Sequence, residues 1–236
     1  MLRLFIVSGL VLFMASCVSL HTPTNHFTPC FTDRAQFEGE VSASANNVSF
    51  NAGLTPLKHF SALAGMQYST FKSKGENYQN NAEFGIGYSR HIRWVLFGVN
   101  TIYGQGSYKW DFSIPTDSAA YTLITSGNYQ KGVIQTYVLF TNNTSKPKYV
   151  VGLSIKQNFY FDNLKSISDF GKNLTQSKSE TLLNKNLEPC LFYRKSFWKV
   201  FYLNVQCGTI LMASDKTLVK PTQSTFGRIG IGLKLR

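Results

Sequence analysis

The sequence predicts an all-β chain that closes into an antiparallel up-and-down transmembrane β-barrel of about ten strands. Three observations lead to this fold class. From Gln36 onward, apolar and polar residues alternate and no helical period persists. The polar positions hold mostly glycine and small neutral side chains. Short and long connections follow one another in turn along the chain, as in outer-membrane barrels.

Length and composition set the outer limits of the interpretation. A chain of 236 residues accommodates one sizeable all-β domain, and a charged fraction of 15% is low for a surface that faces water. The net charge of +12 raises the possibility of nucleic-acid binding. The basic residues are scattered, however, so we expect anionic lipid headgroups or lipopolysaccharide phosphates as partners and no nucleic acid.

The first 16 residues are predicted to be a secretory signal peptide. Arg3 supplies the positive region, and the apolar stretch that follows is too short to span a membrane as a helix. The sequence Met14-Ala15-Ser16-Cys17 resembles the lipobox of bacterial lipoproteins, which implies that Cys17 carries lipid such as palmitate. Ordinary signal cleavage beside an incidental cysteine is the alternative. Residues 17–35, rich in Thr and Pro, are predicted to be a tether between the lipid and a β-barrel domain over 36–236.

The strands are located by alternation in side-chain character. Ala82, Phe84, Ile86 and Tyr88, for example, alternate with glutamate, glycine and serine. Ten strands are predicted on this basis, near 36–44, 47–56, 59–71, 81–91, 94–111, 129–141, 148–162, 187–196, 200–211 and 225–236.

The chemistry of the two faces indicates which one points outward. A soluble barrel would place the apolar face inside and Lys or Glu outside, whereas a membrane barrel inverts this order. Here the polar face is dominated by glycine and neutral residues. Aromatic residues also stand near predicted strand ends, as expected for girdles at the membrane interfaces: Phe60, Tyr68, Trp94, Tyr149 and Trp198.

The connections give the predicted orientation. Tight turns are expected at 57–58, 91–93, 142–147 and 198–199, and long external loops at 72–80, 112–128, 165–186 and 212–224. An even strand number then leaves both termini on the periplasmic side, where lipid on Cys17 enters the inner leaflet.

Three further cysteines remain after Cys17. A two-residue turn near Trp198 would place Cys190 opposite Cys207, so a disulfide and two unpaired thiols are both open. Cys30 is expected to be free. His21, His26 and Cys30 are too few and too loosely held for a metal site, and no metal or other cofactor is predicted.

Catalytic motifs are absent from the sequence. There is no G-x-S-x-G, H-E-x-x-H, C-x-x-C or phosphate-binding loop, so the protein is expected not to be an enzyme. His59 and His91 are expected at periplasmic turns. The remaining charged candidates are predicted to point into the lumen and to pair there as a network: Glu38, Glu40, Glu83, Lys109, Lys156, Arg228 and Lys234.

Over residues 17–236 the chain resembles the small lipoprotein-type outer-membrane barrels of Bacteroidetes-like bacteria. The lipobox, the opening FEGEVSASANNVSFNAGLTP and strands such as Phe84-Gly85-Ile86-Gly87-Tyr88 carry this resemblance. It implies a fold and a bacterial outer-membrane location, without an activity. The C-terminal strand is similar to the signal read by the barrel-assembly machinery, although it ends on Leu235-Arg236 and not on an aromatic residue.

Three functions remain open at this stage. The leading expectation is a non-enzymatic barrel with a structural or surface-interaction role. A small pore is the second, because lumenal glycine would leave space inside. The third is a periplasmic soluble β-barrel lipoprotein that binds an apolar ligand in its interior.

Overall fold

A computed structural model describes residues 25–31, 33–72, 76–115, 120–142, 148–169, 175–198, 200–213 and 224–235. Ten strands carry the chain from Phe37 to Leu235, as the alternation predicts. They are β1 (Phe37–Ser44), β2 (Asn47–Leu57), β3 (Phe60–Lys72), β4 (Glu76–Ile92), β5 (Val95–Pro115), β6 (Ala120–Thr141), β7 (Tyr149–Asp169), β8 (Thr175–Phe197), β9 (Phe201–Ala213) and β10 (Ser224–Leu235).

The strands form one closed antiparallel barrel. Each strand pairs with its neighbours in the sequence, and β1 closes the sheet against β10 with Phe37 opposite Leu235. Closure removes the two free edges that an open sheet would present. The start of β1 and the end of β10 therefore lie at the same end of the barrel, and the predicted fold class is confirmed.

Tight connections gather at this end, which we call the short-turn end. Leu57 pairs with Phe60 and Ile92 with Val95, so each of these hairpins turns through two residues. His59 and Arg93 adopt the left-handed conformation, with φ of 73° and 54°. In the connection from β6 to β7, the side-chain oxygen of Asn142 accepts hydrogen bonds from the backbone N–H groups of Lys148 and Tyr149.

At the opposite end, the hairpin end, the strands are longer than predicted. β5 continues to Pro115 and β6 begins at Ala120, so most of the loop expected at 112–128 is a paired ribbon. The same holds for 165–186, where β7 and β8 pair out to Asp169 and Thr175. Alternation marks only a strand whose two faces meet different solvents, whereas backbone hydrogen bonds continue a ladder through polar residues such as Ser, Thr and Lys. The prediction of long loops was wrong for this reason.

The outer surface is apolar over a broad band. Ile86 is 71% exposed, Met66 65% and Phe84 63%, and all three point away from the lumen. Aromatic residues line the outside at the short-turn end, where Trp198 is 81% exposed and Trp94 packs on Phe140. This arrangement is typical of a barrel that spans a bilayer. Among the residues described, no helix is long and apolar enough to cross a membrane.

Residues 25–31 lie inside the barrel. His26 and Thr28 are fully buried, and Phe27, Cys30 and Phe31 nearly so. Cys30 contacts Lys234 near the short-turn end, and Asn25 contacts Lys156 further along β7, so the segment runs from that end into the lumen. The expectation of an external tether was therefore wrong for 25–31, which we call the plug segment. Residues 1–24, including the predicted signal peptide, Cys17 and His21, lie outside the described residues.

Candidate functional site: the plugged lumen

The plug segment is held by side chains that project from the wall onto its backbone. Lys156 donates to the carbonyl of Asn25 at 2.6 Å, Arg194 to that of Thr28 at 3.0 Å and Gln206 to that of His26 at 3.3 Å. Lys234 donates to the carbonyl of Cys30. An extended segment without secondary structure leaves its backbone groups unpaired, so burial is possible only where the wall supplies partners.

The phenylalanines of the plug segment fill space that a glycine leaves free. A Cβ added at Gly53 would lie 3.1 Å from the Phe27 ring and 3.2 Å from the Phe31 ring. Leu63 stands on the adjacent strand, 3.0 Å from the same position. The opening of the predicted barrel domain thus carries a glycine where the plug segment packs.

A charge cluster closes the lumen at the level of β1. Glu38 accepts hydrogen bonds from the Arg194 guanidinium and the Cys30 backbone N–H, both at 3.0 Å, and Lys234 lies 3.2 Å from the same carboxylate. Arg194 also lies 3.9 Å from Glu40. We call Glu38, Glu40, Arg194 and Lys234 the lower charge cluster. Its members come from β1, β8 and β10, and their opposite charges compensate one another in a region shielded from water.

A second set of charges lies further from the short-turn end. Lys131 of β6 forms an ion pair with Glu83 of β4, and Asn81 donates to the same carboxylate at 2.6 Å. Around them, amide side chains bridge neighbouring strands, as in the hydrogen bond from Asn100 to Gln135 at 3.1 Å. The interior is therefore polar and cross-linked between strands.

His26, Ser154 and Glu188 form a chain of contacts inside the lumen. Nδ1 of His26 lies 3.1 Å from Oγ of Ser154, and Nε2 lies 3.5 Å from Glu188. The residue types are those of a hydrolytic triad. All three side chains are fully buried, however, and Gln135 donates to Oγ of Ser154 at 2.9 Å, so the hydroxyl faces protein and not a substrate cleft. These contacts fasten the plug segment to β7 and β8.

An aromatic cluster fills the lumen toward the hairpin end. Tyr108, Trp110, Tyr129 and Tyr160 are each at most 2% exposed and pack together. The Tyr129 and Tyr160 rings meet edge to face with centroids 5.6 Å apart. The Tyr129 hydroxyl accepts from Gln79 and donates to the carbonyl of Asn80, both at 3.0 Å.

Lumenal glycines make room for these and other rings. Six of them in the described strands stand directly opposite an aromatic residue on the neighbouring strand, and each ring lies over the glycine: Gly98–Tyr137, Gly106–Tyr129, Gly127–Tyr108, Gly152–Phe192, Gly208–Phe226 and Gly232–Tyr202. A ring lying across a strand glycine fills the space that the absent side chain leaves. The lumenal glycine that kept a pore open as a hypothesis instead admits large side chains into the lumen.

The predicted lumenal charges divide into two groups. Six point inward: Glu38, Glu40, Glu83, Lys156, Arg228 and Lys234. Lys109 does not, because it lies between the inward-facing Tyr108 and Trp110 and shares the outer face of β5 with Tyr103. Its assignment to the lumen was wrong by one position in a two-residue period.

Sequence reasoning missed several inward-facing residues. Lys131, Glu188 and Arg194 were left out, although each continues the polar phase of its strand and that phase was the available signal. The partners within the plug segment were missed for another reason. An aperiodic stretch carries no face pattern that could show it to be buried.

The cysteines are free thiols. The connection between β8 and β9 occupies 198–200, one residue more than the two-residue turn on which the disulfide depended, so Cys190 pairs with Gly208 and Cys207 with Leu191. Cys190 faces the lumen and Cys207 the outer side, which excludes a bond between them. Within the described residues, no three His, Cys, Asp or Glu side chains are placed to hold a metal ion.

No protein-family model and no curated protein matches the chain. Among solved structures, the translocator domain of autotransporter NalP from Neisseria meningitidis is similar at a TM-score of 0.49 and 11% identity, covering 98% of this chain and 94% of that one. A major outer membrane protein from Thermus thermophilus gives 0.43 and 10%, covering 85% and 99%. The attachment invasion locus protein Ail of Yersinia pestis gives 0.35 and 11%, covering 86% and 99%. Location and function therefore rest on the chain's own residues.

Proposed function

We propose that the protein is a closed, non-enzymatic barrel of the bacterial outer membrane that presents its long hairpins as a surface for interaction. The observation that carries this proposal is a lumen filled at two levels, by the plug segment and by the aromatic cluster. β5 to β8 continue well beyond the 9–11 residues that a tilted strand needs to cross a bilayer. The hairpins they form are the part of the barrel available to a partner outside.

Both alternatives meet a physical objection. A pore needs a continuous aqueous path, and Tyr129, Tyr160 and the plug segment occupy the lumen of this barrel. A soluble barrel with an apolar ligand needs an apolar interior, whereas the interior here holds Arg194, Lys156 and Glu188 and the apolar side chains lie outside.

Planar-bilayer conductance tests the closed barrel. We expect the full chain, a variant lacking residues 25–31 and the variant Tyr129→Ala/Tyr160→Ala each to give the current of protein-free lipid, because each partial variant retains one of the two closures. Removing both closures together is expected to give discrete channels. Steady conductance from the unaltered chain would overturn the proposal and favour the pore.

Membrane embedding has its own test. Alkaline carbonate extraction of outer membranes that contain Cys17→Ala is expected to leave the protein in the pellet, because the apolar band holds the barrel without lipid. Release into the supernatant would mean that the β-domain does not span the membrane, and the soluble alternative would replace it.

We further propose that the chain is exported, acylated at Cys17 and assembled by the barrel-assembly machinery, with the lipid on the periplasmic side. Metabolic labelling with an alkyne analogue of palmitate is expected to mark the wild-type protein and not Cys17→Ala. Equal labelling of the two proteins would refute acylation at this cysteine.

A further inference from the structure

The outer face of β4 to β7 changes character in ordered steps toward the hairpin end. Four successive rows of outward-facing residues cross these strands in hydrogen-bonded register. From the short-turn side they are Phe84–Tyr103–Gly132–Phe159, Ala82–Gln105–Gln130–Phe161, Asn80–Ser107–Asn128–Asn163 and Tyr78–Lys109–Ser126–Lys165. An aromatic row is thus followed by a mixed row, then by a row of neutral hydrogen-bonding groups, then by a row with two lysines.

These rows line a real depression in the surface. A cavity of about 890 Å³ is bordered by both middle rows, including Asn80, Gln105, Ser107, Asn128, Gln130 and Asn163. On the side of β2 and β3 its lining is apolar, with Phe50, Met66 and Tyr68 each more than half exposed. One wall therefore suits hydrocarbon, and the other suits groups that donate and accept hydrogen bonds.

The order of the rows matches the chemistry of one kind of molecule. Acyl chains pack on aromatic and aliphatic side chains, sugar hydroxyl and amide groups bind Asn and Gln, and phosphates bind lysine. Lys109 and Lys165 provide the only formal charges in the four rows, and both are positive. Asp111 lies one row further along β5. A neutral lipid would leave the two lysines without a matching charge, whereas a simple anionic phospholipid would offer few hydrogen bonds to the amides.

We propose that this face, which we call the amide face, binds a phosphorylated glycolipid of the outer leaflet. The proposal rests on the proposed outer-membrane location and adds the class of ligand and its site. Acyl chains lie along the apolar wall and the row of Phe84, the sugar core lies on Asn128 and Asn163, and a phosphate lies between Lys109 and Lys165.

Native mass spectrometry of the full chain in mixed micelles tests the binding. The probes are bisphosphorylated lipid A, its monophosphorylated form and phosphatidylglycerol, each titrated at constant detergent. We expect lipid A to bind tightest and phosphatidylglycerol weakest. Equal affinity for lipid A and phosphatidylglycerol would overturn the proposal, because charge alone would then explain the binding.

The variant Lys109→Gln/Lys165→Gln is expected to weaken lipid A binding about 30-fold, given the usual contribution of a basic residue near an anionic surface. Lys148→Gln/Lys195→Gln removes the same charge at the short-turn end and serves as the matched control, with binding expected to remain within about two-fold. A similar loss in both variants, or in neither, would refute this site.

A second variant tests the amides without altering charge. Asn128→Ala/Asn163→Ala is expected to weaken lipid A binding about five-fold per amide and to leave phosphatidylglycerol binding unchanged. Equal losses for the two lipids would contradict sugar recognition. Since carbonate extraction is read separately, a barrel that stays embedded but shows no lipid preference would refute only the amide face, whereas release from the membrane would refute the proposed location.

Discussion

The two ends of the lumen are closed by different chemistry. Near the short-turn end, the plug segment and the lower charge cluster bring Glu38, Arg194 and Lys234 into contact away from water. Toward the hairpin end, the closure is made of rings, with neutral hydrogen bonds such as that between Gln79 and Tyr129. A buried charge that loses its partner is far more destabilising than a neutral group that loses a hydrogen bond. The first closure should therefore be sensitive to single changes, and the second tolerant of them.

The two closures also differ in how far apart their residues lie in the sequence. The aromatic cluster comes from β5 to β7, which are consecutive hairpins. The lower charge cluster joins β1 to β8 and β10, and Arg194 lies 156 residues from Glu38. Contacts of long sequence separation form late because loop closure must precede them. We infer that the aromatic cluster forms with its hairpins and that the lower charge cluster forms when β1 meets β10.

The largest effect is expected from Glu38→Gln. The amide cannot compensate both Arg194 and Lys234, so we expect the free energy of unfolding to fall by about 3–5 kcal/mol. Reversible urea unfolding in lipid vesicles measures the change.

Asp33→Asn supplies the control for Glu38→Gln. It makes the same carboxylate-to-amide change at an exposed residue close to β1, and its unfolding free energy should stay within about 0.5 kcal/mol of the wild-type value. If Glu38→Gln is equally mild, the lower charge cluster does not stabilise the barrel and the contrast between the closures fails.

An intermediate effect is expected where a ring lies over a glycine. A Cβ added at Gly98 would overlap the Tyr137 ring, so Gly98→Ala should lower the unfolding free energy by about 1–3 kcal/mol. At Gly132 a Cβ meets nothing within 4 Å, and Gly132→Ala should stay within about 0.5 kcal/mol. The same urea titration compares the pair. Equal values for the two variants would mean that ring packing over glycine does not organise the lumen.

Much of the fold could be predicted because it depends on a two-residue period. Ten strands, their closure and the outward position of Phe84 and Ile86 all follow from which residues alternate. The same period places Glu38 and Glu40 inside, since both stand on one face of β1.

What could not be predicted depends on register or on aperiodic chain. One additional residue in the connection after Phe197 separates Cys190 from Cys207, and no composition signal fixes that count. The plug segment has no alternation, so its burial against Arg194 and Lys156 emerges only when the strands are assembled around it. The glycine–aromatic pairs were hidden similarly, because each one needs the register of two strands.

The smallest effect is expected from Tyr129→Phe, which tests the tolerant end of the lumen. The ring stays in the aromatic cluster and only the hydroxyl is lost, together with its bonds to Gln79 and Asn80. Neutral hydrogen bonds of this kind contribute about 1 kcal/mol, so we expect a loss of that size in the urea titration. Tyr103→Phe, on the exposed outer face of β5, is the control and should change the unfolding free energy by less than about 0.5 kcal/mol. A loss for Tyr129→Phe as large as that for Glu38→Gln would show that the hydroxyl belongs to a buried polar network as demanding as the lower charge cluster. The two closures would then differ in composition and not in their sensitivity to change.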